Sequence, residues 1–193
     1  MTAEQTESPT RSRSQHQRRK RIVQAAAALA SRGGVEAMQM RTVAERAGVA
    51  LGTLYRYFPS KMDLVVAVVG EELDLLEASM RRRPPGSSTG AERAVELLMR
   101  ATRGLVREPE LADALTRSLM LSDVKIDFHG RMTGMILRVM GEEESAGEEQ
   151  KSLVRSLNSV WVMEMIDLLR GRTTAEEIQV RLELAANRLL AGF

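Results

Sequence analysis

The chain has 193 residues, a net charge of +2, 44% apolar residues and no cysteine. That apolar share can bury a sizeable core in one or two compact domains. The missing cysteine excludes disulfides and thiolate metal sites, and fits a reducing, cytoplasmic setting.

Residues 1–14 are polar, rich in Ser, Thr, Gln and Arg and without periodicity, which predicts a disordered basic tail and no secretory signal. From Gln17 a helical stripe begins with Ile22, Ala25, Ala26 and Leu29, and Gly33-Gly34 ends it. A second, short helix is predicted over about 41–47, with Gly48 just past its end where a left-handed backbone is needed. A third covers about 51–58 and stops at Pro59. Ser60 and Asp63 have capping-box spacing for a long helix to about Met80. The run from Arg81 to Gly90, with Pro84-Pro85-Gly86 inside it, is the clearest break in the chain. Helices are then expected over about 91–107, 109–119, 123–140, 148–169 and 174–190, the last opened by a Thr174–Glu177 capping box. No segment alternates with period 2, so the chain is predicted to be all-α, with about nine helices. The longest apolar run, Leu64 to Val69, is far shorter than the ~20 residues a membrane span needs, so no membrane partner is expected.

Charge and aromatics point to the front. Residues 1–60 carry ten Lys or Arg against four Asp or Glu, the remainder 18 against 22, so only the front is suited to a polyanion. Both tyrosines of the chain, Tyr55 and Tyr57, flank Arg56 and are followed by Phe58. Two short helices around a Gly turn, the second rich in donors, make a helix-turn-helix expected over 15–62. Its second helix enters the major groove and offers its N-terminal residues to base edges. Leu51, Gly52 and Thr53 hold that position; Thr53 can donate, accept or meet a thymine methyl. Tyr55, Arg56 and Tyr57 reach for bases or phosphates, while Leu54 and Phe58 are expected in the core. Arg41 and Thr42 open the preceding helix and Lys61 opens the following one, in positions to hold phosphates. Arg18 and Arg19, in the arm with Arg11, Arg13, Lys20 and Arg21, suit phosphate contact or minor-groove insertion.

The stretch T-V-A-E-R-A-G-V-A-L-G-T-L-Y-R-Y-F-P-S-K, Thr42 to Lys61, resembles the signature of the TetR family of bacterial transcription regulators. The resemblance covers roughly residues 17–65 and departs at Ala50, where the family usually has Ser. It implies that Leu51 to Thr53 and Tyr55 face bases and that Thr42, Tyr57 and Lys61 hold phosphates. It further implies that 63–193 is a helical domain that forms a homodimer and holds a hydrophobic small-molecule effector, and that the DNA partner is a palindromic operator. A narrower resemblance to actinobacterial repressors of sterol catabolism rests on E-P-E-L-A-D-A-L-T-R-S-L-M-L-S-D, Glu108 to Asp123, on S-V-W at Trp161 and on Q-R-R-K-R-I near the start. It implies a sterol-derived acyl-CoA thioester as effector.

The back half carries part of this in its own residues. Leu153, Leu157, Val160, Trp161 and Leu168 stripe one helix; Ile178, Leu182, Ala185, Ala186 and Leu189 stripe the last. These stripes suit a four-helix dimer interface; the rival reading is that they face the core of one chain, and one stripe can do both. Met120, Met132, Met135, Met140, Met163 and Met165 offer flexible lining for a cavity, with Phe128 and Trp161 as flat walls and Leu98, Thr102 and Leu119 beside them. Few charges are expected inside, with Arg103, Arg117 and Arg131 available to an anionic end.

Catalysis is not expected. The histidines are His16 and His129, no phosphate loop or Gly-x-Ser-x-Gly occurs, and no cofactor or metal set is present. A rival reading is an architectural or replication-linked DNA binder of the same fold without a small-molecule effector; a solid C-terminal core would favour it.

Overall fold

The computed structural model describes residues 9–113, 116 and 127–191, and of 9–12 the backbone alone. Among the described residues the chain is all-α: eight helices have defined bounds, residues 109–113 belong to a further helical stretch, and no strand occurs. Helix α1 spans Pro9–Ala37, α2 Met40–Ala47, α3 Leu51–Tyr57 and α4 Lys61–Arg82. Helix α5 spans Gly90–Val106, α6 Phe128–Met140, α7 Glu148–Leu169 and α8 Ala175–Leu189.

Local signals explain most of these bounds. Helix α1 is already helical at Pro9, the first described residue, well ahead of the expected Gln17, so 9–14 is helical rather than a tail. The Ser and Arg residues of this stretch carry only a small helix penalty and do not break the helix. The helical path is interrupted at Gly33-Gly34, where Gly34 has φ 65°. Capping boxes open α4 (Ser60 with Asp63), α5 (Thr89 with Glu92) and α8 (Thr174 with Glu177).

The packing forms two groups that share α4. Helix α1 packs on α2 and α4, and α2 on α3. Helix α5 packs on α6, α7 and α8, while α7 also lies against α6 and α8. Buried residues run continuously between the groups, from Ile22, Val43 and Leu54 to Leu97, Met132, Leu157 and Leu182. The C-terminal end of α6 is held by Arg93 of α5, whose Nε and Nη2 donate to the carbonyls of Val139 and Met140 at 2.7 Å each. Its Nη1 ties the 87–88 loop to the same point. Among the described residues no helix is long and apolar enough to cross a membrane.

Candidate nucleic-acid interface and apolar cavity

The turn between α2 and α3 rests on Gly48, in the left-handed region at φ 65°, ψ 43°. Its N–H bonds back to the carbonyls of Ala44 and Glu45, which closes α2 within one residue. Ala50 caps α3 through its carbonyl, accepting from the N–H groups of Thr53 and Leu54 at 2.9 and 3.1 Å. Val43, Ala44 and Ala47 of α2 and Leu54 of α3 are buried together with Phe58. That packing fixes the azimuth of α3. Leu51, Gly52, Tyr55 and Arg56 are consequently exposed, and Thr53 and Tyr57 half-buried. Tyr55 keeps 46% of its surface free, a large apolar ring left in water.

The arm lies next to this face. Arg18, Arg56 and Tyr57 surround one shallow hollow with Ser14 and Gln15. The Arg19 guanidinium sits 5.4 Å from the Phe58 ring centre, a cation–π contact that pins α1 to the base of α3. Arg41 is exposed and paired with Glu45 at 3.4 Å, Thr42 is exposed, and Lys61 is half-buried in the first turn of α4. Of the expected DNA contacts, Arg18, Arg56 and Tyr57 thus come together around one hollow.

A second feature lies where α4, α5, α6 and α7 meet. It is a cavity of about 370 Å³, walled by Val69, Leu73 and Leu76 of α4, by Leu105 and by Met132 and Met165. Phe128 and Trp161 form its flat wall, stacked 6.5 Å apart with rings 14° from parallel. Trp161 is held by its indole N–H, which donates to Thr102 Oγ1 at 2.9 Å, while that hydroxyl donates to the Leu98 carbonyl at 3.0 Å. The rim is charged, with Glu72, Glu108, Arg100, Arg103 and Arg107. Arg100 is already engaged with Glu96 and with the carbonyls of Ser79 and Arg83. Burial pushes the Glu72 carboxyl up, and repulsion from Glu108 and Glu71 adds to the shift. Glu108 also accepts from Ser31 Oγ of α1, so the cavity rim touches the front group directly.

Residues 22–68 match the bacterial regulatory proteins of the tetR family, and residues 87–189 match the tetracyclin repressor-like C-terminal domain. The chain belongs to the TetR family. It is a DNA-binding transcriptional regulator, not an enzyme. It is 40% identical to the HTH-type transcriptional repressor KstR of Mycolicibacterium smegmatis, over 97% of this chain and 93% of that one. It is 41% identical to the KstR of Rhodococcus jostii, over 93% of this chain and 85% of that one. A TetR transcriptional regulator from Rhodococcus sp. RHA1 superposes with a TM-score of 0.80 at 31% identity, covering 94% of this chain and 99% of that one.

Within this TetR-family fold, the expected cavity residues separate. Phe128, Met132, Trp161 and Met165 line the cavity. Thr102 and Leu98 do not; both are fully buried, and Thr102 acts on the wall by orienting Trp161. Met135 is buried outside the lining, and Leu119, Met120 and Arg117 lie outside the described residues. The expectation of few charges is corrected by the five ionic residues at the rim. Arg131 is not at the cavity: it pairs with Asp74 at 2.6 Å and donates to the Gly70 carbonyl, tying α6 to α4.

The expected dimer stripes need a larger correction. Leu157, Ile178, Leu182 and Ala186 are buried within the single chain, because α7 and α8 turn these faces onto each other and onto α5. Leu153, Val160, Leu168 and Leu189 are half-buried at the edge of that core. The outer faces instead carry Met163, Val180 and Leu184, at 55%, 65% and 63% exposure. Val180 and Leu184 stand four apart, a short second stripe that the stronger inner stripe of α8 hides in the sequence.

Proposed function

We propose that this regulator is a homodimeric repressor that reads a palindromic operator with α3 and is released by a large hydrophobic effector. The single observation that supports it most is the exposed face of α3, where Leu51, Gly52, Tyr55 and Arg56 stand clear of the packing made by Leu54 and Phe58, with the half-buried Thr53 among them. On this reading Leu51, Gly52, Thr53 and Tyr55 read bases. Thr42, Tyr57 and Lys61 hold phosphates, and Arg41, Arg56, Arg18 and Arg19 extend that charged margin. Two faces, each on one protomer, meet half-sites whose spacing the dimer sets. The outer apolar residues Met163, Val180 and Leu184 supply the dimer contact. Their exposure on neighbouring helices is what supports this choice over the buried stripes.

The cavity supports the effector. Its 370 Å³ falls within the roughly 300–1,000 Å³ range of small-molecule sites, and its walls are mainly apolar. A solid core would have favoured a DNA binder without an effector. A sterol-derived or fatty acyl-CoA thioester fits an apolar interior with guanidinium groups at the mouth. The likeness to repressors named KstR supports the same direction. An effector that favours a different separation of the two α3 helices weakens operator binding by its differential affinity for the two states.

Selection of bound sequences from a random duplex pool tests the DNA half of this reading. The expected product is a palindrome, with the preference at one symmetric position changed by Thr53→Ala. Recovery of unrelated sequences with equal affinity would overturn it.

A further inference from the structure

One half-buried ionisable side chain of the cavity lining has no partner in the folded chain among the described residues. Glu72 lies on α4 among Val69, Leu73 and Leu76, half-buried and lining the space. It has no hydrogen-bond or ion-pair partner among the described residues. A carboxyl taken this far from water without a partner is costly, and such groups are kept where something else supplies the partner.

The surroundings restrict what that partner can be. Glu108 shares the rim and Glu71 lies close enough to repel Glu72, so a second anion beside Glu72 is penalised. A cation is not favoured either, because Arg100, Arg103 and Arg107 line the same cavity. Two carboxyls and three guanidiniums leave no single-signed field for a charged group to follow. A neutral oxygen avoids both penalties. A hydroxyl donates to the ionised carboxyl, and a carbonyl accepts from the protonated one. Burial and the neighbouring carboxyls shift Glu72 toward the second form relative to a free carboxyl.

We propose that Glu72 is the specificity-determining polar group of the cavity, and that the ligand it selects sets an uncharged hydroxyl or carbonyl oxygen against the Glu72 carboxyl. This rests on the reading of the cavity as an effector site and names what that site selects. The rest of the ligand is apolar and lies along Phe128, Trp161, Met132 and Met165. Any anionic group it carries lies away from Glu72.

The single tryptophan of the chain lines the cavity, so its emission reports occupancy. The test titrates the full-length protein with 1-decanol, decanoate and decylammonium, in wild type and in Glu72→Leu and Glu72→Gln. One hydrogen bond is worth about fivefold in affinity. Glu72→Leu is therefore expected to weaken 1-decanol about fivefold while leaving decanoate no weaker than in wild type. Glu72→Gln keeps the shape and a neutral hydrogen-bonding group, and is expected to retain 1-decanol within about twofold. Equal losses for all the probes in Glu72→Leu, or a larger loss for decylammonium than for 1-decanol, would overturn the selector role while leaving the cavity a ligand site. An unchanged affinity for 1-decanol in Glu72→Leu would do the same. If no probe alters Trp161 emission in wild type, the effector-site reading itself falls, and the selector with it.

Discussion

In the α2–α3 unit, the side chains that hold the fold and those that stand free are different residues. Leu54 and Phe58 are buried, while Tyr55 and Arg56, next to them in the chain, are exposed. Around the cavity the two duties fall on the same residues. Trp161 is almost wholly buried, bonds to Thr102, stacks on Phe128 and still forms a wall of the space. A surface reader can be changed without cost to the core, whereas a cavity wall cannot, because filling the interior and shaping the cavity are one arrangement of atoms.

The largest expected effect tests that claim at the cavity. Trp161→Ala removes a buried aromatic, its stacking partner for Phe128 and the donor to Thr102. It is expected to cost about 3–5 kcal/mol of unfolding free energy in a denaturant titration, and to change ligand affinity in the same variant. A variant of normal stability with altered ligand affinity would show that wall and core are separable after all.

The next effect concerns the outer faces of α7 and α8. Val180→Asp with Leu184→Asp places charges where the apolar outer stripe lies, at positions that contribute nothing to the chain's own core. Dimer dissociation is expected to be favoured by about 2–4 kcal/mol, read by sedimentation, with helicity retained. The corresponding change at Leu182 is expected to unfold the chain, since Leu182 is fully buried. A stable dimer in the outer variant would move the interface elsewhere.

At α3 the two duties should separate cleanly. Tyr55→Ala is expected to weaken the selected operator by about 1–3 kcal/mol, with stability changed by no more than about 0.5 kcal/mol. Lys61→Ala is expected to weaken all sequences alike and to lower the salt slope of binding by about one. A loss of stability comparable to the loss of binding would make α3 resemble the cavity.

The same contrast explains what was legible in the sequence. The α2–α3 turn is local: Gly48, the buried Val43, Ala44 and Leu54 and the break at Pro59 all act within a few residues of where they stand. Cavity membership depends on which helices meet. Met135 and Met132 lie three apart on α6, yet only Met132 reaches the space. Ser31 and Glu108 are joined across the two groups of helices, a pairing with no local signature. The stripes on α7 and α8 were visible as stripes, but periodicity does not say whether a stripe meets its own chain or a second copy. It took the packing of α5 against α8 to assign Ile178 and Leu182 to the core.

The smallest effect separates locality from region. Thr174 and Glu177 belong to the less legible half, yet their capping box is as local as the α2–α3 turn. Thr174 Oγ1 accepts from the Glu177 N–H at 3.2 Å, and the Glu177 carboxylate accepts from the Thr174 N–H at 3.0 Å. The N–H of Thr174, then the Thr173 hydroxyl, holds the Glu177 carboxyl below its ordinary value of 4.5. A lowered folded value means that this stabilisation is present above the ordinary value and is lost as pH falls through the lowered one. Thr174→Ala is expected to cost about 1 kcal/mol at neutral pH. Glu177→Gln is expected to remove this residue's share of the stability lost below pH 4.5, leaving the acid limb of a stability-versus-pH curve shallower. If both variants leave that curve unchanged, the start of α8 is set by its packing on α5 and α7. Legibility would then follow the region of the molecule rather than the range of the interaction.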